Sequence, residues 1–137
     1  KNKDEQVILV CDEAHLIIDP NNRDGIDFLK KASKRIRKQN GSLILISQNL
    51  IDFCSPEIER YGQVIIDNSS YLLVMSQGQK EIEAVAKMLS LSESEKQFLT
   101  TASQGCGLFV IGQDTRLPIQ VELRVEEKEL FGSAGGK

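Results

Sequence analysis

The chain is poor in the residues that build metal centres and disulfide frameworks. It has a single histidine, His15, and three cysteines without C-x-x-C spacing, Cys11, Cys54 and Cys106. One histidine excludes a His-rich metal centre, and the cysteine spacing disfavours a zinc site. An odd set of cysteines is typical of a reducing compartment, which predicts a cytoplasmic protein.

Long apolar runs and a strong charge of either sign are also missing. The longest apolar runs have the length of strands, so the sequence predicts neither a transmembrane helix nor a secretory signal. The net charge of -3 predicts no general attraction to nucleic acid or anionic lipid. A contact with DNA would have to be local, through one basic cluster that comprises Lys30, Lys31, Lys34, Arg35, Arg37 and Lys38.

The most informative segment that is present is the first strand. Residues 7–11 are four apolar residues and a cysteine, and Asp12 and Glu13 follow directly. Such a run predicts a central strand of a parallel sheet, buried on both faces by helices. Because α/β sheets bind ligands beyond the carboxyl ends of their strands, the paired carboxylates favour a ligand site. The alternative is that Asp12 caps a helix and Glu13 is merely solvated.

Paired carboxylates at this position suit nucleotide hydrolysis. One acid can hold Mg²⁺ through water while the next polarises the attacking water, which makes Asp12 the metal-associated acid and Glu13 the base. We therefore interpret the segment as the Walker B element of a P-loop NTPase. Gln48 ends the next predicted strand, and the helix between is one crossover long, so the two strands can be neighbours with their carboxyl ends side by side. The Gln48 carboxamide can there hydrogen-bond the attacking water and a γ-phosphate oxygen. Its alternative role is to cap a helix or order a loop.

Three arginines are candidates for contact with the nucleotide. Arg35 and Arg37 lie near the end of a predicted basic helix and point to different faces. In ring-shaped NTPases one subunit supplies an arginine to its neighbour's γ-phosphate, so one of the two is predicted to be this finger. The alternative is a solvated basic surface. Arg116 either reaches nucleotide across a subunit boundary or pairs with Asp114 to fix a turn.

Strands and helices alternate along the chain. This order predicts an α/β fold with a mostly parallel sheet flanked by helices, and the late strands leave room for an antiparallel edge hairpin around 113–116. Ser92 and Glu95 match a capping box. The predicted strands cover 7–11, 42–49, 71–75, 107–112 and 119–125, and the predicted helices cover 26–39, 55–66, 79–89 and 92–102.

The ordered set of segments resembles the carboxyl-terminal half of the RecA-like motor domain of VirB4-type ATPases, which energise type IV secretion and conjugation. The set comprises 12–15, the helix with Arg35 and Arg37, 47–49, Pro56-Glu57, Asn68-Ser69, Gly112, Arg116 and Pro118. The similarity covers residues 7 to 125. It implies ATP and Mg²⁺ as cofactors and a hexameric or otherwise oligomeric ATPase, peripheral at the cytoplasmic face of the membrane, with secretion-channel components as partners.

A phosphate-binding loop of the form G-x-x-x-x-G-K-[ST] is missing from these 137 residues. Without its loop and lysine, the phosphates have no cradle and Mg²⁺ loses a hydroxyl ligand. We therefore expect residues 1–131 to be the carboxyl-terminal part of a larger RecA-like domain and 132–137 to be a flexible tail. The isolated chain is expected to hydrolyse little or no ATP.

Other functions compete with a secretion motor. A helicase is one, because Asp-Glu-Ala-His spells a helicase box, but such enzymes usually carry Ser-Ala-Thr where this chain has Ser47-Gln48-Asn49. A DNA-pumping ring ATPase is another, separable by whether DNA stimulates hydrolysis. A catalytically silent assembly platform is the third, and it has no reason to keep Asp12, Glu13 and Gln48 together.

Overall fold

The structure is a computed structural model that describes residues 5–48, 50–112 and 114–131, without the side chains of residues 52, 129 and 131. The tail predicted at 132–137 lies outside this part of the chain. The strands are β1 (Val7–Cys11), β2 (Gly41–Leu45), β3 (Tyr71–Met75), β4 (Cys106–Ile111) and β5 (Thr115–Gln120). The α-helices are α1 (Arg23–Arg35), α2 (Glu59–Asp67), α3 (Ile82–Leu89), α4 (Glu93–Thr101) and α5 (Val125–Phe131). Short 3₁₀ helices cover Ala14–Leu16, Ile36–Gln39 and Leu50–Cys54.

β1 and β2 form a parallel pair, with Cys11 opposite Leu45, so that their carboxyl ends lie side by side. The predicted adjacency of the two strands is confirmed. The prediction that β1 is buried on both faces is wrong, because Val7, Ile8 and Val10 are 49%, 65% and 55% exposed. Cys11 and Leu45 pack against the core, while alternate side chains point to the opposite face, which the described residues leave uncovered.

β3, β4 and β5 form a separate antiparallel sheet in that order. The α/β class is confirmed, and so is the late hairpin, but antiparallel pairing extends to β3 as well. The reason is that two helices, α3 and α4, connect β3 to β4. After one crossover helix the next strand runs parallel to the first. A second helix reverses the chain once more, so the next strand runs antiparallel. β5 also begins at residue 115 instead of 119, because a short turn links it to β4.

The predicted ends of two helices are present in the structure, whereas the predicted start of the basic helix is not. The capping box of α4 is present, with Ser92 and Glu95 bonded reciprocally. The predicted stop after the basic helix is also present, since Asn40 has a left-handed backbone with φ 54°. The basic helix itself begins at Arg23, where the Asn22 side chain accepts a hydrogen bond from the Gly25 N–H, and its last four residues are 3₁₀.

Two helical segments differ more from expectation. α2 begins at Glu59 instead of Ser55, because the Ser55 carbonyl accepts the N–H groups of Ile58 and Glu59 and closes a turn there. α5 was not predicted, and only its first residue, Val125, fell within the predicted strand 119–125. No helix among the described residues is both long enough and apolar enough to span a lipid bilayer.

The core lies between the α-helices and one face of the antiparallel sheet. Leu29 of α1, Val85 of α3 and Leu99 of α4 are fully buried. The sheet contributes Val74, Leu108 and Val110. α1 packs against α2, and α4 packs against α3 and β4. The parallel pair joins this core only through its inward side chains, so the ends of β1 and β2 remain open to solvent.

Candidate functional site

The loop after β1 carries the two candidate carboxylates. Asp12 is exposed, and its Oδ1 accepts a hydrogen bond from the Glu13 N–H at 2.9 Å. Glu13 has a left-handed backbone with φ 50° and ψ 47°. This region costs a residue with a side chain about 1–2 kcal/mol, and such conformations cluster at functional sites. The following 3₁₀ helix has no side-chain cap, which argues against Asp12 as a helix cap.

Hydrogen bonds beyond the strand ends hold this loop against β2. The Ile46 N–H donates to the Cys11 carbonyl at 2.9 Å, and the Ala14 N–H donates to the Ile46 carbonyl at 2.8 Å. Ala14 is fully buried, so the loop is anchored on its inner side. These contacts continue the pairing of the parallel strands past their last residues and carry Glu13 towards the end of β2.

The predicted convergence of Asp12, Glu13 and Gln48 is present. The Gln48 side chain donates a hydrogen bond from Nε2 to Glu13 Oε1 at 2.5 Å. Asp12 is the chain neighbour of Glu13 and is tied to it through the backbone. Two carboxylates and a carboxamide therefore lie together at the carboxyl edge of the parallel pair, where ligands of α/β sheets bind.

His15 joins this group, although sequence reasoning considered it only as a metal ligand. Its Nδ1 lies 3.3 Å from Glu13 Oε2, with the side chains 30% and 38% exposed. Both of these atoms are buried, and neither has a hydrogen-bond partner of good geometry among the described residues. The spacing of His15 and Glu13 gave no signal in the sequence, because residues two positions apart meet here only through the left-handed backbone of Glu13.

The donor set suits a magnesium ion that is shared with a nucleotide. Mg²⁺ usually keeps several waters and takes one or two carboxylates besides the substrate phosphates. Asp12 is exposed, and its Oδ1 is engaged with the backbone, which leaves Oδ2 as the oxygen that a ligand could use. Among the described residues no group of three or more His, Cys, Asp or Glu could hold a metal. Of the described residues, Asp12 is the one that such a site would use.

The candidate finger arginines do not join the carboxylates in the same chain. Arg37 lines a groove with Gln6, Val7 and Gly41, at the amino ends of β1 and β2. A five-residue strand rises roughly 16 Å, so this groove and Asp12 lie at opposite ends of the parallel pair. Arg35 ends α1 and is exposed.

Arg37 and Arg116 line a second, larger groove of about 640 Å³. The end of α2, the start of β3 and the end of β4 contribute its other walls, and Arg35 is not among its lining residues. The structure thus places two of the three candidate arginines on one surface.

Of the two alternatives for Arg116, the pair with Asp114 is wrong. The Arg116 guanidinium donates to the Leu89 carbonyl at 2.7 Å and pairs with Glu95 at 3.3 Å. Burial raises the pKa of the Glu95 carboxyl, but hydrogen bonds from Ser92 and the charge of Arg116 outweigh it and hold that pKa below its ordinary value. Arg116 therefore ties β5 to the end of α3 and the start of α4.

Comparison with known proteins identifies the family of this chain. Residues 1–105 match the family model of the TraG P-loop domain. The chain belongs to the TraG P-loop domain family. A nucleotide is therefore the class of ligand that its family binds.

One solved structure and one protein sequence are similar to this TraG P-loop domain chain. The structure of VirB4 of Thermoanaerobacter pseudethanolicus superposes with a TM-score of 0.81 at 48% identity, over 92% of this chain and 33% of VirB4. Protein TraC of Escherichia coli (strain K12) is 32% identical over 72 residues, which are 53% of this chain and 8% of TraC. The expected resemblance to VirB4-type ATPases and the partial P-loop fold are confirmed. The chain spans about a third of the VirB4 chain and under a tenth of TraC.

Proposed function

We propose that these residues are part of an ATP-hydrolysing motor that energises type IV secretion or conjugation. Glu13 polarises the attacking water, Gln48 senses the γ-phosphate, and Asp12 holds Mg²⁺ through water. The observation that carries the proposal is the hydrogen bond between Gln48 and Glu13 across the ends of two neighbouring strands. The strained backbone of Glu13 supports it, since a merely solvated residue gains nothing from that conformation.

Each side chain has a separate task in this reaction. When bound, Mg²⁺ neutralises charge on the phosphates. Glu13 accepts a hydrogen bond and then a proton from the attacking water, while Gln48 donates a hydrogen bond to its Oε1. Gln48 is exposed at the strand end, so the second N–H of its carboxamide can reach a phosphate oxygen while the first stays on Glu13.

The remaining parts are proposed to come from outside these residues. The phosphate-binding loop comes from another segment of the same protein, and the isolated chain has little or no activity. The finger comes from a neighbouring subunit of a ring, because Arg37 lies at the amino ends of β1 and β2, far from the carboxylates of its own chain. Arg37 is the better candidate, since it shares a groove with Arg116. The ring acts at the cytoplasmic face of the membrane with other channel components.

Glu13→Gln in the full-length protein tests the proposal. We expect loss of ATP hydrolysis with nucleotide affinity retained, because the amide keeps the shape and the contact with Gln48 but cannot act as a base. Glu122→Gln, an exposed carboxylate on another part of the surface, is the control and should leave turnover unchanged. Undiminished hydrolysis by the Glu13 variant would remove this residue from the base role. Stimulation of the wild type by DNA would indicate a DNA-pumping motor.

A further inference from the structure

We propose that His15 is a positioning residue that orients the Glu13 carboxylate for catalysis. This inference rests on the proposed role of Glu13 as the base and goes beyond it by naming the group that sets its orientation. Gln48 holds one carboxylate oxygen, and the imidazole of His15 lies beside the other, at 3.3 Å.

Two buried polar atoms in this turn lack a hydrogen-bond partner within the part of the chain that the structure describes. Glu13 Oε2 and His15 Nδ1 are both buried, and neither has another hydrogen-bond partner among the described residues. A buried polar atom without a partner costs about 1–3 kcal/mol. A hydrogen bond between these two atoms would satisfy both of them. With its proton on Nδ1, His15 donates to Oε2 after a small rotation of the ring, and the carboxylate is then held at both oxygens.

A glutamate that acts as a base needs contacts that fix the plane of its carboxylate. The terminal torsion of Glu is broad, and rotamer preference alone does not set the plane of its carboxylate. One hydrogen bond from Gln48 leaves the plane free to pivot about Oε1. A second contact at Oε2 removes this freedom and keeps one lone-pair direction pointing to the edge of the sheet, where the attacking water would lie.

The local backbone explains how a residue only two positions away can do this. The left-handed conformation of Glu13 is followed at once by the 3₁₀ helix Ala14–Leu16. Ala14 is buried and bonded to Ile46, so the turn is fixed and His15 is displayed next to the Glu13 side chain. The His15 side chain is 30% exposed, which is more than a residue that only fills the core would be.

Three substitutions of His15 in the full-length protein test the role. Loss of a positioning contact should lower kcat for ATP about 10-fold and leave KM unchanged, because misplacement of a catalytic group by a fraction of an ångström affects chemistry and not binding. His15→Ala removes both ring nitrogens. His15→Asn places an amide near the position of Nδ1, and His15→Gln places one near Nε2.

The comparison of Asn with Gln separates positioning from bulk. We expect His15→Asn to recover most of the lost kcat and His15→Gln to recover little, with equal melting temperatures for the two variants. Equal recovery by both, a rise of KM in proportion to the loss, or an unchanged kcat in His15→Ala would each overturn the role. If His15→Ala does not fold, the ratio of the Asn and Gln variants still decides.

The failure of this inference is distinguishable from failure of the proposed function. If Glu13→Gln leaves hydrolysis intact, then the base is elsewhere and the function proposed above is wrong. If Glu13→Gln abolishes hydrolysis while His15→Ala and His15→Gln keep full kcat, only the positioning role is wrong. With both correct, adding His15→Ala to Glu13→Gln should cause no further loss, because His15 acts through Glu13.

Discussion

Gln48 donates a hydrogen bond of 2.5 Å to Glu13, although the two residues are 35 positions apart in the chain. The bond joins the ends of β1 and β2, and it exists because the two strands run parallel and in register. It makes the candidate sensor and the candidate base one unit. A change at either residue is therefore expected to affect the other.

Replacing Gln48 should impair hydrolysis more than nucleotide binding. Gln48→Ala removes the donor to Glu13 and the sensor group together, and we expect kcat to fall about 10²-fold in the full-length protein, as when one preorganised donor is deleted. Steady-state ATPase assays and binding of a fluorescent nucleotide would measure the two effects. Gln120→Ala, an exposed amide at the end of β5, is the matched control. A parallel loss in both glutamine variants would contradict a specific role.

The two arginines of the basic segment should differ. We expect Arg37→Ala to lower kcat about 10³-fold, as loss of a trans-acting arginine does, and Arg35→Ala to have a small effect. Arg37 lines the groove that also contains Arg116, whereas Arg35 does not, so Arg35→Ala serves as the control. Mixing Arg37→Ala with Glu13→Gln subunits should restore part of the activity, because some interfaces then contain both intact groups. No recovery in mixed oligomers would place the defect within one subunit.

Acid should weaken the tie between Glu95 and Arg116. The pKa of Glu95 is lower in the folded chain than its ordinary value of 4.5, so the carboxylate stabilises the fold at neutral pH. This contribution is present above pH 4.5 and is lost as the pH falls through the folded pKa. Glu95→Gln keeps a capping group but loses the charge, and it should cost about 0.5–1 kcal/mol at pH 7.

Urea unfolding of wild type and Glu95→Gln across the acidic range checks this expectation. The difference in unfolding free energy between them should shrink as the pH falls. A difference that stays constant below pH 4.5 would show that the charge of Glu95 contributes nothing to stability.

Gly62 should reject a methyl group in spite of its helical position. In an open helix, Gly→Ala is expected to stabilise by about 1 kcal/mol. In α2, a Cβ on Gly62 would overlap the backbone carbonyl oxygen of Phe53. We therefore expect Gly62→Ala to destabilise by about 1–3 kcal/mol, measured by thermal or urea unfolding. Gln97→Ala on the exposed side of α4 is the comparison, and it should be nearly neutral.

Local patterns predicted what depends on neighbours in the chain. Three features could be predicted because each depends on a few consecutive residues. They are the Ser92–Glu95 capping box, the helix end at Asn40 and the apolar run of β1. The convergence of Asp12, Glu13 and Gln48 was also predictable. It needed only the rule that parallel neighbours place their carboxyl ends at one edge.

The partners of Arg116 and His15 could not be predicted in this way. Arg116 binds Glu95 and the Leu89 carbonyl, which are 21 and 27 residues away. The sequence suggested only Asp114, two residues away, as its partner within the chain. His15 contacts Glu13 only because a left-handed residue and a 3₁₀ turn bend the chain there. Neither the bend nor the distant pairing leaves a periodic signal in the residues.

By itself, the sequence determined the α/β class, the pair of strands that carries the carboxylates, and the resemblance to VirB4-type ATPases. Only the tertiary structure decided that β3 runs antiparallel to β4, that Arg37 shares a groove with Arg116, and that His15 lies against Glu13. The physical reason is the range of the forces involved. Periodicity and capping act over a few residues, whereas helix packing and side-chain hydrogen bonds select partners across the whole fold.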